Sequence, residues 1–241
     1  MSLDALIMGV AFILIHLFAN NLIPSERIRR LKWFSFSGGL AVSYVFVYVL
    51  PTLHKEQIIV KKYGDYFTME SELYFVGLIG LIIFYGIQKV VRNAQKTSSP
   101  GKVKTLFWLQ IIFFGVYNML VAYTVISHEV LGIQAVFYGL AVGMHFIAVA
   151  HDLWREYPEI YNKVGKYVLA FGIVAGWTLG IGVNLSPLTE SVIFAFISGA
   201  MILNVLKYEL PPDDEAHFIT FSIGVISYTT ITMSLKFFFQ W

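Results

Sequence analysis

No cysteine occurs in the 241 residues of this chain. Disulfides, thiolate metal sites and thiol redox chemistry are therefore excluded, while the compartment is left open. Charge is scarce as well. Asp, Glu, Lys and Arg make up 13% of the residues, about half their share in a soluble domain. The net charge is +2, and no run of Lys or Arg is long enough to mark a nucleic-acid partner. Neither G-x-S-x-G nor H-E-x-x-H is present, and no other paired catalytic constellation stands out, so an enzyme is not expected. No basic residue precedes the first apolar run in Met1–Asp4, and no small-residue cleavage site follows it. The first segment is read as a retained span rather than a signal peptide.

Apolar side chains are what the chain has in excess. They form 57% of the sequence, and the mean hydropathy is +0.70. A water-soluble fold of this length would leave too much of that surface outside its core. Lipid would accept it. The 21 Phe, 14 Tyr and 5 Trp fit the aromatic enrichment of bilayer interfaces. The fold class expected is all-α: a polytopic membrane bundle of about eight helices forming a single domain over 1–241.

A span needs roughly 20 mostly apolar residues to cross about 30 Å of hydrocarbon. Eight segments qualify: Leu3–Ile23, Trp33–Leu50, Leu73–Val91, Leu106–Ser127, Val130–Leu153, Val164–Leu185, Thr189–Tyr208 and His217–Phe239. Only the residues around His128 and Glu129 part the fourth from the fifth, and Ser186–Pro187 part the sixth from the seventh. Fusing either pair would give a run far longer than a bilayer needs, and a seven-span reading would follow from one such fusion. Pro51 is expected to end the second span. The longest loop, His54–Glu72, follows it. Residues 92–105 form a linker between the third and fourth spans, polar and broken by Pro100 and Gly101.

Lys and Arg gather in alternate loops. Arg27, Arg29, Arg30 and Lys32 fall in the first; Arg92, Lys96, Lys102 and Lys104 in the third; Arg155, Lys163 and Lys166 in the fifth; Lys207 borders the seventh. The positive-inside rule makes those loops cytoplasmic, with both termini on the non-cytoplasmic side of a plasma (inner) membrane. Glycines within the spans, among them Gly77, Gly80, Gly172 and Gly176, fit close helix packing and are compatible with a homodimer.

Two spans echo each other. The second reads SGGLAVSYVFVYVLP to Pro51, and the seventh reads SGAMILNVLKYELP to Pro211. Aligned on the prolines, Gly39 meets Gly199, Tyr48 meets Tyr208 and Leu50 meets Leu210. The two would cross in opposite senses, as in the inverted repeats of secondary transporters. Small-residue starts and Pro ends are also common in membrane helices generally.

With eight spans, both termini outside, a linker in the third loop and Gly-to-Pro second and seventh helices, the chain resembles the ZIP family of divalent-metal transporters. Tyr48-Val49-Leu50-Pro51-Thr52 stands where that family has a His-Leu-Leu-Pro-Glu type motif, and Tyr208-Glu209-Leu210-Pro211 matches its second Leu-Pro motif. Tyr117-Asn118-Met119-Leu120-Val121-Ala122 takes the place of His-Asn-x-x-Asp-Gly, and Ile147-Ala148-Val149-Ala150-His151-Asp152 that of His-Glu-x-x-His-Glu. The resemblance covers nearly the whole chain in layout. It implies an inverted repeat of spans one to three and six to eight, and a metal set reduced to His151, Asp152 and Asn118. Tyr117, Val121, Ile147 and Ala148 stand where the family's other ligands would be. A transition metal needs several imidazole or carboxylate ligands close together, so the family's binuclear site looks dismantled.

The candidate pathway residues are Tyr48, Tyr117, Asn118, His145, His151, Asp152, Asn204 and Glu209. His145 lies deep in its span, where an ionisable group is expected to act or to be satisfied by a neighbouring helix. Asp152 shares its face but sits about 10 Å along the helix, too far to bind one ion with it. Lys207 either snorkels to the interface or lies beside the pathway. The function expected is a ZIP-like transporter of a divalent metal or another small solute, working by alternating access, with the bilayer and that solute as its partners and no required cofactor. The alternative is a membrane receptor, sensor or assembly subunit that keeps the scaffold without its site. A retinal protein would need a mid-span lysine, and Lys207 and Lys236 both lie near span ends.

Overall fold

The computed structural model describes residues 3–62, 69–95, 100–127, 132–210 and 217–239. Among them no strand occurs. Eight helices follow one another: α1 (Leu3–Leu22), α2 (Arg27–Lys61), α3 (Glu72–Gln95), α4 (Pro100–Ser127), α5 (Gly132–Glu156), α6 (Pro158–Gly182), α7 (Pro187–Glu209) and α8 (Phe218–Phe239). The last seven are long and apolar enough to cross a membrane, and α1 carries a shorter apolar stretch, Leu3–Ala19. Leu3, Ile7, Val10, Leu14 and Phe18 form an exposed stripe along α1 at helical spacing. A water-facing protein could not carry that stripe; a lipid-facing helix requires it. The chain is an integral membrane helical bundle.

Two boundaries differ from the sequence reading. Pro51 does not end α2, which continues to Lys61, so His54–Lys61 is helix and not loop. A proline normally clashes with the carbonyl four residues before it and leaves that carbonyl without a donor. Here Val45–Val49 is a π turn, and the Leu50 N–H bonds back to the Val45 oxygen, so the ladder is already widened where the ring enters. The Val47 carbonyl lies four residues before Pro51. It accepts a hydrogen bond of 2.7 Å from Lys236 Nζ on α8. The linker is also shorter than 92–105, since α3 runs to Gln95 and α4 begins at Pro100; residues 96–99 lie outside the described part, as do His128, Glu129 and Pro211.

Beyond the bilayer stretch, the top of α2 is latched to α3. Gln57 Nε2 donates to Glu72 Oε2 at 2.8 Å, and Gln57 Oε1 accepts from the Leu73 N–H at 2.8 Å. Lys61 pairs with Glu70, whose carboxyl it holds below the usual range. Glu56 accepts from Ser191 of α7, so α2 is also tied to the start of α7.

The tightest packing joins helices that run in the same direction: α4 with α6, α3 with α7, α2 with α8 and α1 with α5. Lipid offers no hydrophobic drive between helices, so backbone proximity must supply the contact. Glycine makes it possible. A Cβ on Gly199 of α7 would overlap the Gly77 oxygen of α3, and one on Gly176 of α6 would overlap the Met119 oxygen of α4. The α2–α8 seam adds Gly39 and Gly224 together with two polar ties, Ser43–Thr229 and Ser35 Oγ accepting from the His217 N–H.

Gly199→Ala should force α3 and α7 apart and cost about 3 kcal/mol, an overpacking penalty. Gly86→Ala, where nothing lies within 4 Å of the added Cβ, should raise stability by up to about 1 kcal/mol, the usual Gly-to-Ala helix gain. Reversible unfolding in mixed detergent micelles measures both.

Candidate functional site

At the centre of the bundle, α4, α5 and α7 are joined by one chain of polar side chains. Tyr117 Oη lies 3.1 Å from His145 Nε2, and His145 Nδ1 pairs with Glu209 Oε1. Asn204 Nδ2 donates to the same carboxylate oxygen at 2.8 Å. In the neutral imidazole, Nδ1–H donates to Glu209 and Nε2 accepts the tyrosine proton. All four side chains are buried, with Glu209 and His145 at 7% and 2% exposure. A carboxylate this deep must be paired, and an imidazole with an amide does so. Glu209 Oε2 is the exception, buried with no hydrogen-bond partner.

The π turn at Val205–Glu209 puts Glu209 there. It ends α7 with the Leu210 N–H bonded to Val205 O at 3.2 Å. Leu210 then turns extended, as the residue before a proline must. Helix α5 continues about three turns beyond His145 to Glu156. Helix α7 therefore stops short of the basic end of its neighbour, and a cavity of about 260 Å³ fills the space beneath it. Phe34 and Ser37 of α2, Arg92 of α3, Ala148, His151, Asp152 and Arg155 of α5, and Lys207 to Leu210 form its walls. Glu209 is in that wall, its side chain only 2% exposed, and through it the cavity borders the His145–Glu209 pair.

Charges around this cavity are arranged on rings and on one another. The Arg92 guanidinium lies 4.4 Å from the Tyr208 ring centre, and Lys207 Nζ lies 4.0 Å from that of Tyr85. Such contacts hold cations near a membrane interface. Arg155 pairs loosely with Asp152 at 3.7 Å. The His151 ring sits between Phe34 and Trp154. On the far side of Arg92, Asp152 and Tyr208, a second pocket of about 20 Å³ is lined by Gln88, Gln110, Glu156 and Asn204. It has room for about one water.

Past the His145–Glu209 pair the bundle is closed by phenols. Tyr44 stacks on Tyr48 with ring centres 5.3 Å apart, and Tyr138 of α5 and Tyr228 of α8 meet them edge to face. Tyr138 is about two turns from His145, toward the face with few basic residues.

The eight residues singled out from sequence are thus distributed over four places. Tyr117, His145, Asn204 and Glu209 meet directly; His151 and Asp152 line the cavity mouth; Tyr48 is in the phenol cluster. Asn118 belongs elsewhere, donating to His16 Nε2 at 2.8 Å and to the Leu169 carbonyl at 3.4 Å. His151, Asp152 and Asn118 are therefore not gathered into one ligand set. Among the described residues no group of three or more His, Cys, Asp or Glu is close enough to hold a metal ion. Sequence reasoning missed Arg92 and Phe34 in the cavity wall and Tyr138 and Tyr228 in the closure. Tyr138 is seven residues before His145, a same-face spacing that could have flagged it.

A family model described as a protein of unknown function (DUF3270) matches residues 78–154. That segment runs from within α3 to near the end of α5, and so carries Tyr117, Asn118, His145, His151 and Asp152 but not Glu209. No curated protein and no solved structure matches the chain.

Removing one member of the central pair should be costly in an asymmetric way. His145→Ala leaves Glu209 without its principal partner and should cost about 3–5 kcal/mol. Glu209→Gln keeps an acceptor for His145 and Asn204 and should change stability by only about 1 kcal/mol. Tryptophan fluorescence during detergent unfolding reads both.

Proposed function

We propose that this protein is a transporter on a ZIP-like scaffold, moving a small solute by alternating access, with its basic face in the cytoplasm. The carrying observation is the cavity that opens at the basic face and has Glu209, the partner of buried His145, in its wall, with a layer of stacked phenols beyond the pair. A site reached from one side and sealed from the other is what one half-cycle of alternating access requires. Binding at the inner ends of interrupted helices is the usual arrangement in secondary transporters.

The helix pairing supports an inverted repeat. Mapping α1, α2, α3 and α4 onto α6, α7, α8 and α5 turns the α2–α8 pair into α7–α3, and α1–α5 into α6–α4. Two of the three π turns follow the same mapping, Val45–Val49 in α2 and Val205–Glu209 in α7, each just before a Leu-Pro, while the third, Tyr161–Gly165 in α6, has no counterpart in α1. In this reading Tyr48 on the first turn and Tyr44 just before it close the outer half, and Glu209 on the second anchors the inner half. Exchange of the two would open the opposite side.

The divalent-metal version of this function has less support than the small-solute version. Arg92, Arg155 and Lys207 line the cavity that has Glu209 in its wall, and each would repel a dication.

The absence of cysteine makes the test clean. Ala148→Cys in the cavity wall should react with a membrane-impermeant thiol reagent quickly from the cytoplasmic side of oriented vesicles. Labelling from the opposite side should be slower and should accelerate when Tyr48→Ala thins the phenol layer. Ser37→Cys serves as a second reporter. Labelling confined to one side in all these variants would overturn the transport reading in favour of a non-transporting receptor or assembly subunit.

A further inference from the structure

The cavity beneath α7 has two chemically different ends, and together they select a class of solute. At the inner end, both donors available to Glu209 go to Oε1: the His145 ring and the Asn204 amide. Oε2 is left buried with no partner, on a residue that forms the cavity wall. A buried carboxylate oxygen stripped of water costs free energy until a donor reaches it. The missing group is a hydrogen-bond donor, and a positively charged N–H suits a carboxylate best.

At the mouth the balance is reversed. Arg92, Arg155 and Lys207 contribute three cations, against which Asp152 sets one carboxylate already leaning on Arg155. A plain cation would have to enter past those three charges. A plain anion would be held at the mouth, but it would bring nothing to Glu209 and would be repelled by it. Between the two ends the wall is uncharged and partly apolar, with Phe34, Ala148 and Leu210.

Resting on the transport reading, we propose that the transported solute is a small zwitterion: an ammonium group engaging Glu209 Oε2 and a carboxylate held by Arg92 and its neighbouring cations. Such a molecule meets both ends at once and leaves neither charge unpaired. A cavity of about 260 Å³ fits an amino-acid-sized solute better than a drug-sized one. His145 and Asn204 act as positioning residues, fixing Oε1 so that Oε2 is the oxygen presented.

The test uses the purified full chain and a series of ω-amino acids from glycine to 6-aminohexanoate, each beside its matching amine and its matching carboxylate. Thermal unfolding and calorimetry report binding. At least one ω-amino acid should bind about tenfold more tightly than either of its single-charge analogues. Glu209→Gln should lower its affinity about tenfold while leaving the protein folded, and Arg92→Gln should do the same. The proposal is overturned if the amine or the carboxylate binds as tightly as the zwitterion, or if zinc or manganese stabilises the protein where the amino acids do not. It is equally overturned if no member of the series binds. In that last case, labelling of Ala148→Cys from both sides would leave the transporter standing with a different solute, whereas one-sided labelling would remove both.

Discussion

A carboxylate deep in a lipid-embedded bundle is the constraint around which this protein is arranged. Glu209 cannot be charged there without partners, and the network that holds it draws on two helices besides its own. His145 of α5 and Asn204 of α7 hold one oxygen, and Tyr117 of α4 holds the far side of the imidazole. Satisfying one side chain thus ties together elements that the chain itself keeps far apart. It also explains the local distortion of α7, because only a widened last turn brings Glu209 back toward α5. The residual cost falls on Oε2, on a residue at the inner end of the cavity.

The same demand for satisfied polar groups governs the backbone. Pro51 in the middle of a span should leave a carbonyl bare in hydrocarbon, a cost of several kcal/mol. The bundle meets it with a lysine from another helix, Lys236, and with a π turn that gives the ring room. The seams between same-direction helices follow a related logic. There the helix dipoles lie side by side unfavourably, and close backbone contact at Gly77, Gly199, Gly172 and Gly176 compensates.

Much of this was readable before any coordinates. Apolar runs of span length place the eight helices, because lipid permits few other structures and periodicity matters less than length. His145 and Glu209 stand out as ionisable groups where such groups are rare. Two things were not readable. The extension of α2 past Pro51 depends on Lys236, which is 189 residues from Val47 in sequence, and no local rule anticipates a donor at that distance. The partnership of Tyr117 and His145 with Glu209, and of Asn118 with His16 instead, depends on which face each helix turns inward. Hydrophobic patterning decides that face in water, but in a helix apolar all round it carries little information. For the same reason the metal set implied by resemblance, His151 with Asp152 and Asn118, gave no warning that Asn118 faces a different neighbour.

The pairing of same-direction helices has a consequence for how the protein is made. Within each tight pair the two members are never consecutive, and α2 meets its partner only with α8, the last of the described helices. While the ribosome is still delivering α3 to α7, α2 sits in the translocon or the bilayer with Ser35, Ser43 and the Val47 carbonyl unmet. Synthesis of α8 is therefore the event that closes the α2 seam. A membrane insertase or chaperone that shields α2 in the interval would act on the most exposed stage of its biogenesis.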